Sequence, residues 1–254
     1  GINHGIIVDL DKASETIRRL LSKLKKQYDQ RLLKVFCSIS GDSLTSLLSH
    51  GVVKIKHREV TQYDLEDLAA TAQAIALDNQ VVMHMVPQQY KVDNQEGIMD
   101  PLGMYGVRLE GDFQLILADQ GVAQNIIRCL DRVGLMCQGL IFMPTGLADA
   151  VLTQDEKQQG VVLVDIGEGT TDFSVFVEGM SVHAGSIPIG GGAVTRDIAY
   201  RLQINNQVAE NMKLTLGSGS GDLDIADDVL HEVIEARYMQ IFKLIERSLI
   251  KEGL

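Results

Sequence analysis

The chain has 254 residues, a formal net charge of −11, 45% hydrophobic residues and 22% charged ones. That apolar content can offset the entropy of ordering one large or two modest domains, so disorder is excluded as the main state. The acidic balance argues against nucleic-acid binding and against a basic, membrane-attracted face.

No apolar run approaches the ~20 residues of a membrane helix. Cys37, Cys129 and Cys137 form no C-x-x-C pair and read as thiols in a reducing compartment. A soluble, cytoplasmic chain is expected.

Asp9 can cap a first helix with Ala13, Ile17, Leu20, Leu21 and Leu24 on its apolar stripe. Leu32–Ile39 and Val52–Ile55 read as strands. Thr61-Gln62-Tyr63-Asp64 resembles a capping box opening a helix that buries Leu65, Leu68, Ala72, Ile75 and Ala76. Val81–Val86 reads as a strand ended by Pro87, and residues 92–106 as loop. From Val107 to Leu117 apolar and polar residues alternate, which predicts one face on a core and one in water. Val122, Ile126, Ile127, Leu130 and Val133 line a helix stopped by Gly134. Together, residues 46–134 suit a small α+β unit.

Leu140–Met143 is a predicted strand and Gly146–Leu152 a short helix. Val161–Val164 is a continuous apolar run, as in a strand buried on both faces. Phe173–Val177 and Val182–Ile187 are strands joined through Glu178-Gly179. Helices follow near 193–202, 207–216 and 227–250. Gly217-Ser218-Gly219-Ser220-Gly221 reads as a flexible loop or as an engineered replacement of a longer one.

The chemistry sits in Val164-Asp165-Ile166-Gly167-Glu168-Gly169-Thr170-Thr171-Asp172. A strand delivers Asp165 into a glycine-rich hairpin whose backbone can approach phosphate oxygens. Thr170 and Thr171 offer hydroxyls, and Asp165 can hold the waters of a Mg²⁺. Alone, the pattern is also that of a tight hairpin with no ligand. Gly190-Gly191-Gly192 precedes a helix whose first N–H groups form an expected anion site. Glu210 and Lys213 share a helical face, where a carboxylate can accept from ribose hydroxyls and a Lys stem can cover a base. His57, His84 and His183 lack metal-ligand spacing and read as structural.

This order of parts resembles the phosphate-binding half of the actin-like ATPase superfamily, and Asp165 to Asp172 matches its second phosphate loop. Further segments narrow the resemblance to the FtsA family of bacterial cell-division proteins. They include Met85-Val86-Pro87-Gln88-Gln89-Tyr90, Pro101-Leu102-Gly103-Met104, Val151 to Lys157, Ile187-Pro188-Ile189-Gly190-Gly191, Val194 to Ala199 and Glu232 to Arg237. The resemblance implies an α/β, actin-like (ribonuclease H-like) ATPase fold with an inserted α+β subdomain 1C, incomplete at both ends. Its parts would be 1–45 in subdomain 1A, 46–134 as 1C, 135–204 as the end of 1A and subdomain 2A, and 205–254 in 2B.

The resemblance also implies ATP and Mg²⁺ as cofactors, bound weakly by this chain alone. The cofactor-binding residues would be Gly167, Glu168, Gly169, Thr170, Thr171, Gly190, Gly191, Gly192, Glu210 and Lys213. Asp165 would act through Mg²⁺-bound water, and Asp149 is a weaker candidate for orienting an attacking water.

Expected partners are the C-terminal tail of FtsZ, other copies of the same protein in a filament, and later division proteins through 1C. Membrane attachment would use a C-terminal helix outside this chain, at the cytoplasmic face of the division septum. A PilM-like pilus-assembly scaffold and a sugar-kinase-type phosphotransferase are the alternatives within the superfamily.

One departure stands out. Glu168 replaces the glycine usual in this family. A carboxylate beside a triphosphate is repulsive, yet actin has an acid at the like position and binds ATP with a divalent cation. In addition, 1C is expected to pack away from the phosphate-loop half, joined to it only near residues 45 and 135.

Overall fold

The computed structural model describes residues 1–28, 32–41, 43–75, 77–217 and 226–254. Ala76 and most of the Gly/Ser run at 217–221 therefore lie outside the described residues.

The chain opens with a small hairpin, β1 (Ile2–Asn3) and β2 (Ile6–Ile7), turned by His4 and Gly5, both at positive φ. The Asp9 carboxylate accepts from the N–H groups of Asp11 and Lys12 at 3.1 and 3.0 Å, starting α1 (Leu10–Tyr28). Ala13 of its stripe is buried and Ile17 and Leu21 pack on the core, but Leu20 is exposed.

β3 (Lys34–Ile39) pairs in parallel with β8 (Met136–Phe142), and everything between them is one long crossover. Most of that crossover is a separate unit. β4 (Thr45–Lys54), α2 (Gln62–Gln73), β5 (Gln80–Val92), β6 (Gln95–Ile98) and β7 (Arg108–Asp119) form an antiparallel sheet, ordered β4-β7-β5-β6, with α2 on one face. The capping box of α2 is present in both directions between Thr61 and Asp64. Leu68 and Ala72 drive into Leu109, Phe113, Leu115 and Leu117. The helix stops at Gln73, so Ile75 is not on it. α3 (Gln120–Asp131) leaves this unit and joins α1, β3 and β8, around Ile39, Ile116, Ile126, Leu130 and Phe142.

After α4 (Met143–Val151) and α5 (Gln154–Gln159), β9 (Val161–Ile166), β10 (Thr171–Val177) and β11 (Met180–Ile187) make an antiparallel sheet ordered β11-β10-β9. α6 (Gly191–Leu202), α7 (Asn206–Gly217) and α8 (Ala226–Lys251) follow. The stripe of α8 serves two cores. Leu230 packs with Val194, Ile198 and Ala209 of α6 and α7, while Ile241 and Ile245 cover Phe173, Val175 and Ile187 of the sheet.

Several expectations fail for identifiable reasons. Pro87 does not end its strand. A register irregularity between Pro87 and Gln89 absorbs the missing N–H, and β5 continues to Val92. Residues 92–106 are not all loop, because β6 turns back on β5. The alternation in β7 does not mean one wet face throughout, since both faces are buried from Phe113 to Ala118. β9 is not buried on both faces. It is the edge of its sheet, half-buried along its whole length.

The expectation that the insert touches the second half only at its ends also fails. The Gln88 side-chain amide donates to the Ser181 carbonyl at 2.8 Å, the Ser181 hydroxyl donates to Gln114 at 3.0 Å, and the Ser46 hydroxyl donates to the Ala184 carbonyl at 3.0 Å. β11 is thus sewn to the insert, and Gln114, which the alternation of β7 assigned to water, is buried in that contact.

Candidate functional site

β9 ends with Asp165 and Ile166, and the chain reverses through Gly167–Thr170 into β10. The Gly167 N–H donates to the Thr170 carbonyl at 2.9 Å and closes the turn. The N–H groups of Glu168, Gly169 and Thr170 have no hydrogen-bond partner among the described residues, although Thr170 as a whole is buried. Successive free N–H groups of this kind can hold an anion where they converge.

The second glycine cluster holds this loop in place. The N–H groups of Gly191 and Gly192 donate to the carbonyls of Gly167 and Glu168, each at 2.8 Å. A Cβ on Gly190 would lie 2.4 Å from the Gly167 oxygen, so only glycine allows the approach. The first N–H groups of α6 are therefore not the open anion site expected from sequence. The loop carbonyls take them, which leaves the loop tip as the donor set.

The two threonines are also occupied. The Thr171 hydroxyl donates to the Ile189 carbonyl, and that of Thr170 hydrogen-bonds Ser40 Oγ, each at 2.7 Å. His4 Nδ1 lies 2.7 Å from the Gly169 carbonyl, so the N-terminal hairpin borders the loop.

Asp165 has no hydrogen bond or ion pair among the described residues and stands cross-strand from Asp172. Sequence reasoning gave Asp172 no role, although it closes the motif. It is 5% exposed, takes a hydrogen bond from the Ser186 hydroxyl and reaches Gly41 through it. Burial pushes its pKa up against those hydrogen bonds, and the Asp165 charge adds to the rise.

Glu210 and Lys213 do meet the loop region. Lys213 Nζ reaches Glu210 Oε2 at 2.7 Å, Thr195 Oγ1 at 2.9 Å and the Gly191 carbonyl at 3.2 Å, and the Thr195 hydroxyl donates to Glu210. Hydrogen bonds from Lys213 and Thr195 hold the Glu210 carboxyl below its usual range. Beside them lies a pocket of about 390 Å³ lined by Glu168, Gly192, Thr195, Arg196, Gln207 and Glu210. Arg196 is the second residue the sequence reading passed over. Nothing in a surface-facing helical Arg signals the pocket before α6 and α7 are packed.

Asp149 is not brought to this cluster. It accepts from Lys157 Nζ at 2.7 Å, and that ammonium lies 5.6 Å from the Phe176 ring centroid. Phe176 is five residues along β10 from Thr171, about 17 Å at strand spacing.

His84 and His183 are structural. His84 Nε2 accepts from the Phe142 N–H, and His183 sits between Ser46 and Ser248. Burial lowers the pKa of both. No group of three or more His, Cys, Asp or Glu among the described residues is placed to hold a metal by itself.

Comparison with known proteins follows this division. A family model described as "SHS2 domain inserted in FTSA" matches residues 41–117, and one described as "Cell division protein FtsA" matches residues 162–245. The cell division protein FtsA of Pseudomonas aeruginosa is 37% identical over 272 residues, covering 100% of this chain and 65% of its own length.

The chain belongs to the FtsA family.

FtsA of Neisseria meningitidis serogroup B is 34% identical and that of Escherichia coli K12 is 32% identical. The chain spans just under two thirds of each of these relatives (66% and 64%). Its fold is that of the actin-like ATPases. Solved structures sharing it include a PilM-PilN type IV pilus biogenesis complex (17% identity, TM-score 0.64, 99% of this chain and 67% of that one). Another is the ethanolamine utilization protein EutJ from Carboxydothermus hydrogenoformans (14% identity, TM-score 0.53, 98% and 60%). The SHS2 match runs from before β4 into β7 and ends before α3, whereas one core joins Ile116 and Ala118 of β7 to Ile126 and Leu130 of α3. Among the described residues no helix is long and apolar enough to cross a membrane.

Proposed function

We propose that this chain is the nucleotide-binding core of an FtsA-type adaptor in bacterial cytokinesis. The observation that carries the nucleotide part is the run of unpaired N–H groups at Glu168, Gly169 and Thr170 beside the unpaired Asp165 carboxylate. Those groups fit a phosphate and its cation. The N–H groups would hold phosphate oxygens, and Asp165 would hold the waters of a Mg²⁺, which binds through one or two carboxylates plus phosphate. When bound, Mg²⁺ would neutralise phosphate charge.

This chain's own residues do the positioning. Gly190 and the N–H groups of Gly191 and Gly192 fix the loop, while the buried hydroxyl of Thr171 ties β10 to Ile189. Glu210 and Lys213 would face the nucleoside, once their mutual contacts are exchanged for it. With Asp149 at the other end of β10, the proposed role is binding rather than hydrolysis.

The FtsA relatives support the rest of the reading. The adaptor would link FtsZ tails to the cytoplasmic membrane at the septum, assemble with further copies, and recruit later division proteins through the insert. The subdomains would be 1–45 (1A), 46–134 (1C), 135–204 (the end of 1A and 2A) and 205–254 (2B), with α3 packed on the first.

Calorimetric titration of Mg·ATP into the chain tests the core of this proposal. Weak, saturable, Mg²⁺-dependent binding that Asp165→Ala abolishes is expected. Lack of saturable binding overturns it.

A further inference from the structure

Two charged side chains at the mouth of the α6–α7 pocket have no partner of their own. Glu168 and Arg196 make no ion pair or side-chain hydrogen bond among the described residues, although both line that pocket. Helical side chains tilt toward the helix N-terminus, which carries Arg196 back over the first turn of α6. Gly192 marks where it arrives. A Cβ there would lie 3.2 Å from Glu168 Cγ and 3.5 Å from Arg196 Nη1. The acid of the loop and the guanidinium of the helix therefore approach one spot, over a residue that has no side chain to block them.

The other cation at the site is already committed. Lys213 sits 2.7 Å from Glu210 and is bonded to Thr195 and Gly191 as well. Arg196 is thus the one cationic side chain lining the pocket, and it makes no ion pair with a carboxylate among the described residues. Without it, both charged residues lining the pocket would be carboxylates, and a polyphosphate would meet repulsion there.

We propose that Arg196 is the specificity-determining residue that lets a loop carrying Glu168 accept the polyphosphate of a nucleoside di- or triphosphate. Its planar fork of donors matches phosphate oxygens and offsets the Glu168 charge. The proposal rests on the nucleotide-binding reading above and adds a dependence that reading lacks: Arg196 matters because Glu168 is present.

The test is a double-mutant cycle read by calorimetric titration of Mg·ATP into the whole chain. The proteins are wild type, R196A, R196Q, R196K, E168G and E168G/R196A, each checked for an unchanged melting curve. R196A and R196Q are expected to weaken binding about tenfold, R196K to recover part of it, and E168G/R196A to fall within about threefold of E168G. Binding by R196A and R196Q within about twofold of wild type overturns the proposal, as does an equal loss in both backgrounds. No saturable binding by wild type overturns the nucleotide reading itself, and this proposal with it. Wild-type binding with an indifferent Arg196 overturns this proposal alone.

Discussion

The insert and the phosphate-loop half solve the same packing problem in opposite ways. The insert closes on itself with side chains. Leu68, Leu109, Leu115 and Leu117 are each fully buried, and the α2 cap satisfies itself through Thr61 and Asp64. The loop half is held by backbone against backbone at Gly167, Glu168, Gly190, Gly191 and Gly192. It keeps a buried carboxylate and leaves N–H groups and the charged side chains of Asp165, Glu168 and Arg196 without hydrogen-bond or ion-pair partners among the described residues. Free donors beside a raised-pKa acid are what single this half out as the candidate site. The contrast is between a module complete in its own core and one that leaves donors and charges free.

The largest expected effect falls on the complete module. Leu68→Ala removes the side chain on which α2 meets β7, and should cost about 2–5 kcal/mol by urea denaturation. A cost below about 1 kcal/mol would show that the insert does not depend on this core.

Gly190→Ala attacks the other region. The added Cβ would fall 2.4 and 2.7 Å from the carbonyl oxygens of Gly167 and Glu168. Forcing the loop off α6 should cost about 1–3 kcal/mol, typical of overpacking. Unlike Leu68→Ala, it should also abolish Mg·ATP binding at temperatures where the protein stays folded. Retained affinity would break the link between glycine packing and the site.

Asp149→Ala separates stability from binding. Lys157 is 7% exposed, and Asp149 is its ion-pair partner. Stranding that ammonium should cost about 1–2 kcal/mol and leave nucleotide affinity unchanged. A change in affinity without a change in stability would return Asp149 to the site.

How much of this was legible in sequence follows the same division. The capping box, the two glycine clusters and the stripe of α8 were readable because each is a local pattern with a local cause. Glu210 and Lys213 were placed correctly on one face, but their mutual contact and the Thr195 hydroxyl that joins them depend on α6 lying beside α7. The docking of the insert on β11 was not legible at all. Gln88 and Gln114 are polar, and only the approach of Ser181 makes them buried rather than wet. Likewise, the occupied N–H groups of Gly191 and Gly192 could not be foreseen from a glycine run, since an open anion site and a backbone clasp use the same residues.

Asp172 gives the smallest predicted effect and the sharpest view of the contrast. Its folded pKa is raised above the ordinary 3.8 by burial, helped by Asp165. A carboxyl whose pKa is raised on folding favours the folded state most when protonated. It withdraws that contribution as pH rises through the folded value, so at pH 7 the ionised Asp172 weakens the fold. Asp172→Asn keeps an oxygen to accept from the Ser186 hydroxyl and removes the charge beside Asp165. It should therefore raise the melting temperature at pH 7, and the gain should shrink as pH falls through the raised value toward 3.8. A gain of constant size across that range would mean that charge is not what Asp172 costs. A loss at pH 7 would mean that the carboxylate is stabilised where it sits, and that this half of the molecule is as internally complete as the insert.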